Sequence, residues 1–437
     1  MIKEFFPDVG SIQYKGSDSN DLYSFKWYDK DKTFGDYSLG DFLQFSISYW
    51  NSFGNKGNDF YGSSTKVYPW LLINDSVKSA HLKADAAFEL MSKLNIDYYS
   101  FHDFDLINEG TDLTDSEIKL QIISDYIKEK QDLTHIQPLW ASANLYTNPR
   151  YMNGAVTNPD FGAVAYAGAQ VQNALDIAIK LNAKNYVFWG GREGYSSILN
   201  TNNSIEKSNT AKFLKYCRDY ARKNGFEGNL VIEPSAHTPC RHQYAADVKT
   251  VIGFLLKNKL EKDFKIIVNS HKAFLAGHAL SDEIQAALEC DMLSGINANR
   301  GNEFDDLHTE LFPIDLIEAT KTMLILLRNN SIHNRGVNFE ASTVRNSTDL
   351  NDIIIAHIMS MDTYARAAIA AHKIYNNSKF KEWINFRYRT FKSGIGLDFS
   401  KGKLSLEDLK DYALEHGEPN QISSKQELYE QLIISHL

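Results

Sequence analysis

IQPLWA (Ile136–Ala141), VAYAGAQVQNALDIAIKL (Val164–Leu181) and NYVFWG (Asn185–Gly190) make up the stretch from which the fold is read. The outer two runs are short and rich in aromatic and branched residues, as buried strands are. The middle run repeats its apolar residues at three and four positions, the period of an amphipathic helix. Strand, helix and strand in that order make a βαβ unit, the connection a parallel pair requires. The same alternation extends in both directions. Further strand candidates are LQFSIS (43–48), IDYYSF (96–101), NLVIEP (229–234), FKIIVN (264–269), LSGINA (293–298) and GVNFEA (336–341), with helical patterns such as 79–94 and 316–328 between them. Eight βα units in succession, joined by right-handed crossovers, predict an α/β fold: a closed (β/α)8 TIM barrel with a short N-terminal segment over residues 1–376.

Beyond this the pattern changes to charged helices with clear stops, including a capping box from Ser405 to Asp408 and a helix that ends near Gly417. Residues 377–437 carry too little apolar sequence for a core of their own and are expected to form a helical extension. The whole chain, 437 residues at 43% hydrophobic, has no composition break that forces a second globular domain. No internal repeat or low-complexity segment interrupts it.

A formal charge of −9 argues against nucleic acid or an anionic membrane as partner, because both need basic surface. Cys217, Cys240 and Cys290 are odd in number and far apart, so neither a disulfide framework nor a zinc knuckle is expected. Lys3, Glu4 and Asp8 stand where a secretory signal would be apolar, and no run is long enough for a spanning helix. These features predict a cytoplasmic protein that takes a small molecule.

Several short motifs fall at or just after the C-terminal ends of the expected strands, the end at which such barrels carry their chemistry. They are FHDFD (Phe101–Asp105), WGGREGY (Trp189–Tyr195), IEP (Ile232–Pro234), VNSHKAFLAGH (Val268–His278), INANRG (Ile296–Gly301), HTELFP (His308–Pro313) and NFEA (Asn338–Ala341). His102 and Asp105 are spaced so that the carboxylate can fix one imidazole nitrogen and leave the other to move a proton. The glycines of WGGREGY lack the Lys-Ser/Thr of a phosphate loop and the spacing of a dinucleotide fold. They are read as strand-end backbone packed against the barrel mouth.

Together these motifs resemble the xylose isomerase family, in its longer class II form, over essentially the whole chain. That family converts an aldose such as D-xylose to a ketose by a hydride shift between C2 and C1, with two divalent ions (Mg, Mn or Co) polarising the neighbouring oxygens. The resemblance implies ring opening by His102 and Asp105, a substrate wall from Trp50, Trp140 and Trp189 with the run Asn148–Gly154, and sugar contact by Glu233. It also implies a C-terminal arm that joins subunits into a homodimer or homotetramer.

At the ligand positions this chain departs from the family. Where the first metal site has Glu, Glu, Asp and Asp, the chain has Glu233, Asn269, Asn297 and Glu340. Where the second has the shared Glu, a His and two Asp, it has Asn269, Lys272, His308 and Glu310. Two carboxylates have become neutral amides, and a cation, Lys272, stands in the ligand set. The family's Lys after Glu-Pro is here Ser235, with His237 and Arg241 as nearby replacements. The sequence therefore predicts weak or absent metal binding. It leaves three readings: a sugar-binding protein with a degraded metal site that retains ring opening, an active isomerase with a rebuilt site, or a structural or regulatory subunit.

Overall fold

Eight runs rich in branched and aromatic residues form the strands, within two residues of their expected limits. They are β1 (Phe45–Ser48), β2 (Tyr98–His102), β3 (Gln137–Ser142), β4 (Asn185–Trp189), β5 (Asn229–Glu233), β6 (Phe264–Asn269), β7 (Leu293–Ala298) and β8 (Val337–Phe339). Neighbours in sequence pair in parallel, and β8 pairs with β1 to close the barrel. The structure is a computed structural model that describes residues 4–58, 62–237, 239–301, 310–329 and 335–437.

The helices that follow the strands are α1 (Ser76–Leu94), α2 (Leu113–Thr134), α3 (Phe161–Lys180), α4 (Asn203–Lys223), α5 (Val248–Asn258), α6 (Leu280–Glu289), α7 (Leu316–Arg328) and α8 (Asp352–Tyr375). Six of them begin on an Asp or Asn whose side chain accepts a hydrogen bond from an otherwise unpaired N–H of the first turn: Asp75, Asp112, Asp160, Asn202, Asp247 and Asp315. This is why α1 and α3 start three residues before their apolar periodicity does. The cap rather than the first core residue sets the boundary.

Two apolar regions, with a small third of Tyr151, Ala155 and Ala167, are buried among the described residues. The larger lies between strands and helices, and burial of its branched and aromatic side chains is the main favourable term in folding. The smaller, inside the barrel, comprises Leu139, Trp140, Val187, Val231 and Ile267. Toward the C-terminal ends of the strands this interior turns polar. The hydroxyls of Ser46 and Ser100 donate to Asn338 Oδ1 at 2.9 and 2.7 Å. Polar groups buried this deeply need partners, and this chain of side chains supplies them.

The tail consists of α9 (Ser378–Arg387), α10 (Gly394–Ser400), α11 (Leu406–His416) and α12 (Gln426–Ile434). The capping box at Ser405 and Asp408 is formed, and α11 stops at Gly417, whose positive φ of 69° suits glycine. No residue of α11 is buried, whereas α12 returns to the barrel, burying Ile433 and packing Tyr429 and Leu432 against the main core. Phe386, Phe391, Phe399, Leu406 and Leu414 remain exposed along this extension. Among the described residues no helix is long and apolar enough to cross a membrane.

Candidate functional site

The site is the C-terminal mouth of the barrel, built from two unlike halves. On the β2–β4 side, β2 ends at His102, and a short helical turn (Asp103–Leu106) brings Asp105 back beneath it. One oxygen of Asp105 accepts from the His102 backbone N–H at 2.8 Å and contacts Nδ1 at 3.0 Å. An ionised carboxylate is acceptor only, so Nδ1 carries the proton and Nε2 is left for a ligand. Burial of His102 opposes its charge. The charge and hydrogen bond of Asp105, with Asp103 and Glu233 further off, outweigh that and hold its pKa above the ordinary value.

Asp103 braces the neighbouring loop. Its carboxylate accepts from the Asn144 and Phe104 backbone N–H groups and from Gln170 Nε2, each at 2.8 Å. Burial nevertheless lifts its pKa to about 6, because desolvation outweighs those three donors. Behind His102 stand Trp140 and Tyr146, edge-on at 5.4 and 5.7 Å between ring centroids, and Tyr146 meets Trp189 edge-on at 4.5 Å. Trp140 and Trp189 thus share this wall. Trp50, 41% exposed, lines a cleft of about 470 Å³ with Phe104, Asp105, Glu310 and Lys83.

On the β5–β8 side the expected ligand residues are brought together but engage one another. Both oxygens of Glu233 accept from side-chain amides, Asn269 Nδ2 at 3.1 Å and Asn297 Nδ2 at 3.0 Å. Neither amide is free to turn. Asn269 Oδ1 caps the turn Ser270–Leu275 by accepting from the His271 and Lys272 backbone N–H groups. Asn297 Oδ1 accepts from Trp140 Nε1, a group that can only donate, at 3.3 Å, and from Asn338 Nδ2 at 3.0 Å. The nitrogens of both amides must therefore face Glu233.

Lys272, 4% exposed, places its Nζ 2.9 Å from Glu310 Oε1. Burial alone would depress its pKa, but the charge and contact of Glu310, with Glu340 and Glu233, raise it above the ordinary value, so it is an ammonium. Burial and Glu310 push Glu233 up to about 7 against the opposing pull of Lys272 and the two amides. Glu340 is held well above the usual carboxylate range by burial and by Glu233 and Glu310, and its Oε2 has no hydrogen-bond partner among the described residues. Ser235 is buried, with its backbone N–H bonded to Ala245 O at 2.8 Å, while His237 and Arg241 are exposed. His308 lies outside the described residues.

Motif reading missed Tyr146, Asn338 and Lys83. Asn338 stands inside the NFEA motif as the residue that orients Asn297. Lys83, buried on α1, donates to the Asp105 carbonyl. WGGREGY proves to be a support. Glu193 accepts from the backbone N–H groups of Ala155, Val156 and Thr157 and from the Thr157 hydroxyl, and residues 194–195 pair with 242–243.

Comparison with known proteins agrees with this architecture. Residues 384–437 match the family model of the XylA2 C-terminal domain. The chain is 45% identical over 431 residues to a xylose isomerase of Phocaeicola vulgatus, covering 99% of this chain and 98% of that protein. It is 46% identical over 431 residues, with the same coverage, to a xylose isomerase of Bacteroides thetaiotaomicron. It is also 43% identical over 435 residues to xylose isomerase 1 of Xanthomonas axonopodis, covering 100% of this chain and 98% of that protein. Among solved structures, a candidate xylose isomerase from Rhodospirillum rubrum superposes with a TM-score of 0.51 at 12% identity, covering 74% of this chain and 98% of that one, which speaks to the barrel fold alone. At more than 40% identity over nearly full length, this chain belongs to the xylose isomerase family.

Proposed function

We propose that this member of the family binds a small aldose at the barrel mouth and opens its ring through His102 and Asp105, with little or no metal-dependent isomerisation. The observation that carries the reading is the ion pair of Lys272 with Glu310, set among the positions where the family would place its cations. Two further features weigh against a two-cation centre. Glu233 already accepts amide N–H groups on both oxygens, and the amides that replace carboxylates present nitrogen, a donor, toward it. A divalent ion such as Mg²⁺ needs acceptor oxygens and gains most from anionic ones. These residues do not fit that demand, and no step is assigned to a metal.

Ring opening is proton transfer and stands within reach of the groups present. His102 Nε2 takes the proton of the anomeric hydroxyl, and Asp105 steadies the imidazolium through Nδ1–H. Tyr146 and Trp189, with the buried Trp140 packed edge-on against His102, offer apolar surface to the C–H side of a sugar and exclude water. The exposed apolar side chains of α9–α11 support an arm that joins copies of the chain in a cytoplasmic homodimer or homotetramer.

The test is a thermal melt of metal-depleted protein with Mg²⁺, Mn²⁺ or Co²⁺, with and without D-xylose, together with an assay for D-xylulose. Stabilisation by sugar alone, without ketose, is the expected result. Midpoints raised by the ions and accompanied by xylulose would overturn the reading in favour of an active isomerase with a rebuilt site.

A further inference from the structure

Opening a sugar ring needs two proton transfers at one carbon. The anomeric hydroxyl must lose a proton while the ring oxygen gains one as the C1–O5 bond breaks. His102 answers the first requirement. The second falls to Tyr146, a residue whose surroundings are built to present it.

Tyr146 follows β3 on a loop that is braced at every side. Asn144 Oδ1 accepts from the Thr147 backbone N–H at 3.1 Å and from the Thr147 hydroxyl at 2.6 Å, and Asn144 is itself anchored through Asp103 and Gln170. From the far side, Arg192 Nε donates to the Tyr146 carbonyl at 2.7 Å. Gly191 explains the double glycine of WGGREGY. A Cβ there would stand 2.9 Å from Tyr146 Cβ and 2.9 Å from Trp189 Cζ3, so only glycine lets the two rings meet.

The tyrosine ring is edge-on to His102, 5.7 Å away between ring centroids, so it is among the groups packed directly on the imidazole. Its hydroxyl makes no hydrogen bond to any described residue. Burial, with the charges of Asp105, Glu340, Asp103 and Glu233, keeps it protonated. Tyr146 follows β3 as Asp103 and Asp105 follow β2 and Glu340 follows β8, and Glu233 ends β5, so the tyrosine belongs to the same C-terminal mouth as these carboxylates.

We propose that Tyr146 is the general acid of ring opening, donating its phenolic proton to the ring oxygen while His102 Nε2 takes the proton of the anomeric hydroxyl. The C1–O5 pair of electrons becomes the new O5–H bond, and the O1–H pair forms the carbonyl. The proton on His102 then returns to the phenolate through solvent, restoring both groups. This assignment rests on the ring-opening reading above, and the experiment separates the two.

The experiment follows anomer interconversion of α-D-xylose by polarimetry for the full chain, His102→Asn and Tyr146→Phe, with melting temperatures as controls. Acid catalysis by a positioned group contributes ~10²- to 10⁴-fold, so Tyr146→Phe is expected to lower kcat by ~10²-fold or more, with KM and melting temperature nearly unchanged. Tyr146→Phe with unchanged kcat, or with only KM raised, overturns the acid role and leaves ring opening by His102 standing. If the unmodified chain and His102→Asn both run at the uncatalysed rate, the ring-opening reading falls, and the acid role with it.

Discussion

Two buried lysines, one in each half of the barrel mouth, have been pushed in opposite directions. Lys83, on the β2–β4 side, donates to the Asp105 carbonyl, and with no carboxylate paired to it among the described residues its pKa falls to about 8 under burial, against the weaker pull of the Asp105 charge. Lys272, on the β5–β8 side, is equally buried, but Glu310 at 2.9 Å raises its pKa above the ordinary value. The difference shows that burial does not decide the charge of a lysine here; the partner does. The half that faces His102 keeps a cation it holds only loosely. The other half has closed a charge pair over the family's ligand positions.

Breaking that pair should give the largest effect. Glu310→Gln leaves an ammonium buried without its counter-charge and is expected to cost about 3–5 kcal/mol in chemical denaturation. Lys272→Met with Glu310→Leu removes both charges and should recover most of the loss, since a buried pair is often no better than apolar side chains of similar size. If the single variant were as stable as the parent, the ion pair would not be what organises this half.

Rebuilding the family's ligand set sharpens the contrast from the other side. Asn269→Glu, Lys272→His, Asn297→Asp and His308→Asp together return carboxylates and an imidazole to the positions where the resemblance places them. The rebuilt chain should gain stability from Mn²⁺ or Mg²⁺, about 2.7 kcal/mol when the ion is at a hundred times its Kd, where the parent gains none. A parent that responds equally would show that its amides bind the ion as they stand.

The lysine comparison also predicts a pH dependence. For Lys83 the folded pKa, about 8, lies below the 10.5 of a free lysine, so between those values the unfolded chain holds the extra proton. Its penalty on folding is full below pH 8 and is relieved as the pH rises toward 10.5. Lys272 has the reverse sign. Its raised pKa means its contribution is present at and below pH 10.5 and is lost only above that. The difference in stability between the parent and Lys83→Met should therefore shift in the parent's favour by on the order of 2 kcal/mol from pH 8 to 10.5. A difference that stays flat with pH would place an unrecognised counter-charge beside Lys83.

How far the sequence carries the reader depends on the range of the interactions involved. Strand and helix order were legible because branched runs and the helical period are local signals, and helix starts followed once an Asp or Asn cap stood before them. The pairing of His102 with Asp105 was legible because they lie three positions apart. Tyr146 was not: its place is fixed by Gly191, Arg192 and Trp189 from the next strand and by Asp103 from the previous one, contacts no spacing announces. The double glycine was the available clue, since glycines at a strand end that bind no phosphate are free to make room for a ring. The role of Asn338 was hidden in the same way, because its partners are on β1, β2 and β7. Trp50, just past the end of β1, lines a cleft with Asp105 and Glu310, a grouping that its place in the sequence does not announce.

The smallest predicted effect concerns how firmly the amides of the β5–β8 half are held. Asn297 presents nitrogen to Glu233 because two donors occupy its oxygen, Trp140 Nε1 at 3.3 Å and Asn338 Nδ2 at 3.0 Å. Asn338 is itself fixed, since the hydroxyls of Ser46 and Ser100 both donate to its oxygen. Trp140→Phe removes the longer of the two bonds, worth about 1 kcal/mol beyond the packing lost with the smaller ring, while the side-chain amide resonances of Asn297 stay those of a held group. Asn338→Asp removes the other donor and sets an acceptor against the Asn297 oxygen, so in the Trp140→Phe background Asn297 loses both groups that hold its oxygen and its amide resonances should broaden or shift. Amide resonances that broaden or shift in Trp140→Phe alone would mean that the tryptophan, and so the sugar wall of the opposite half, is what holds the amides in place.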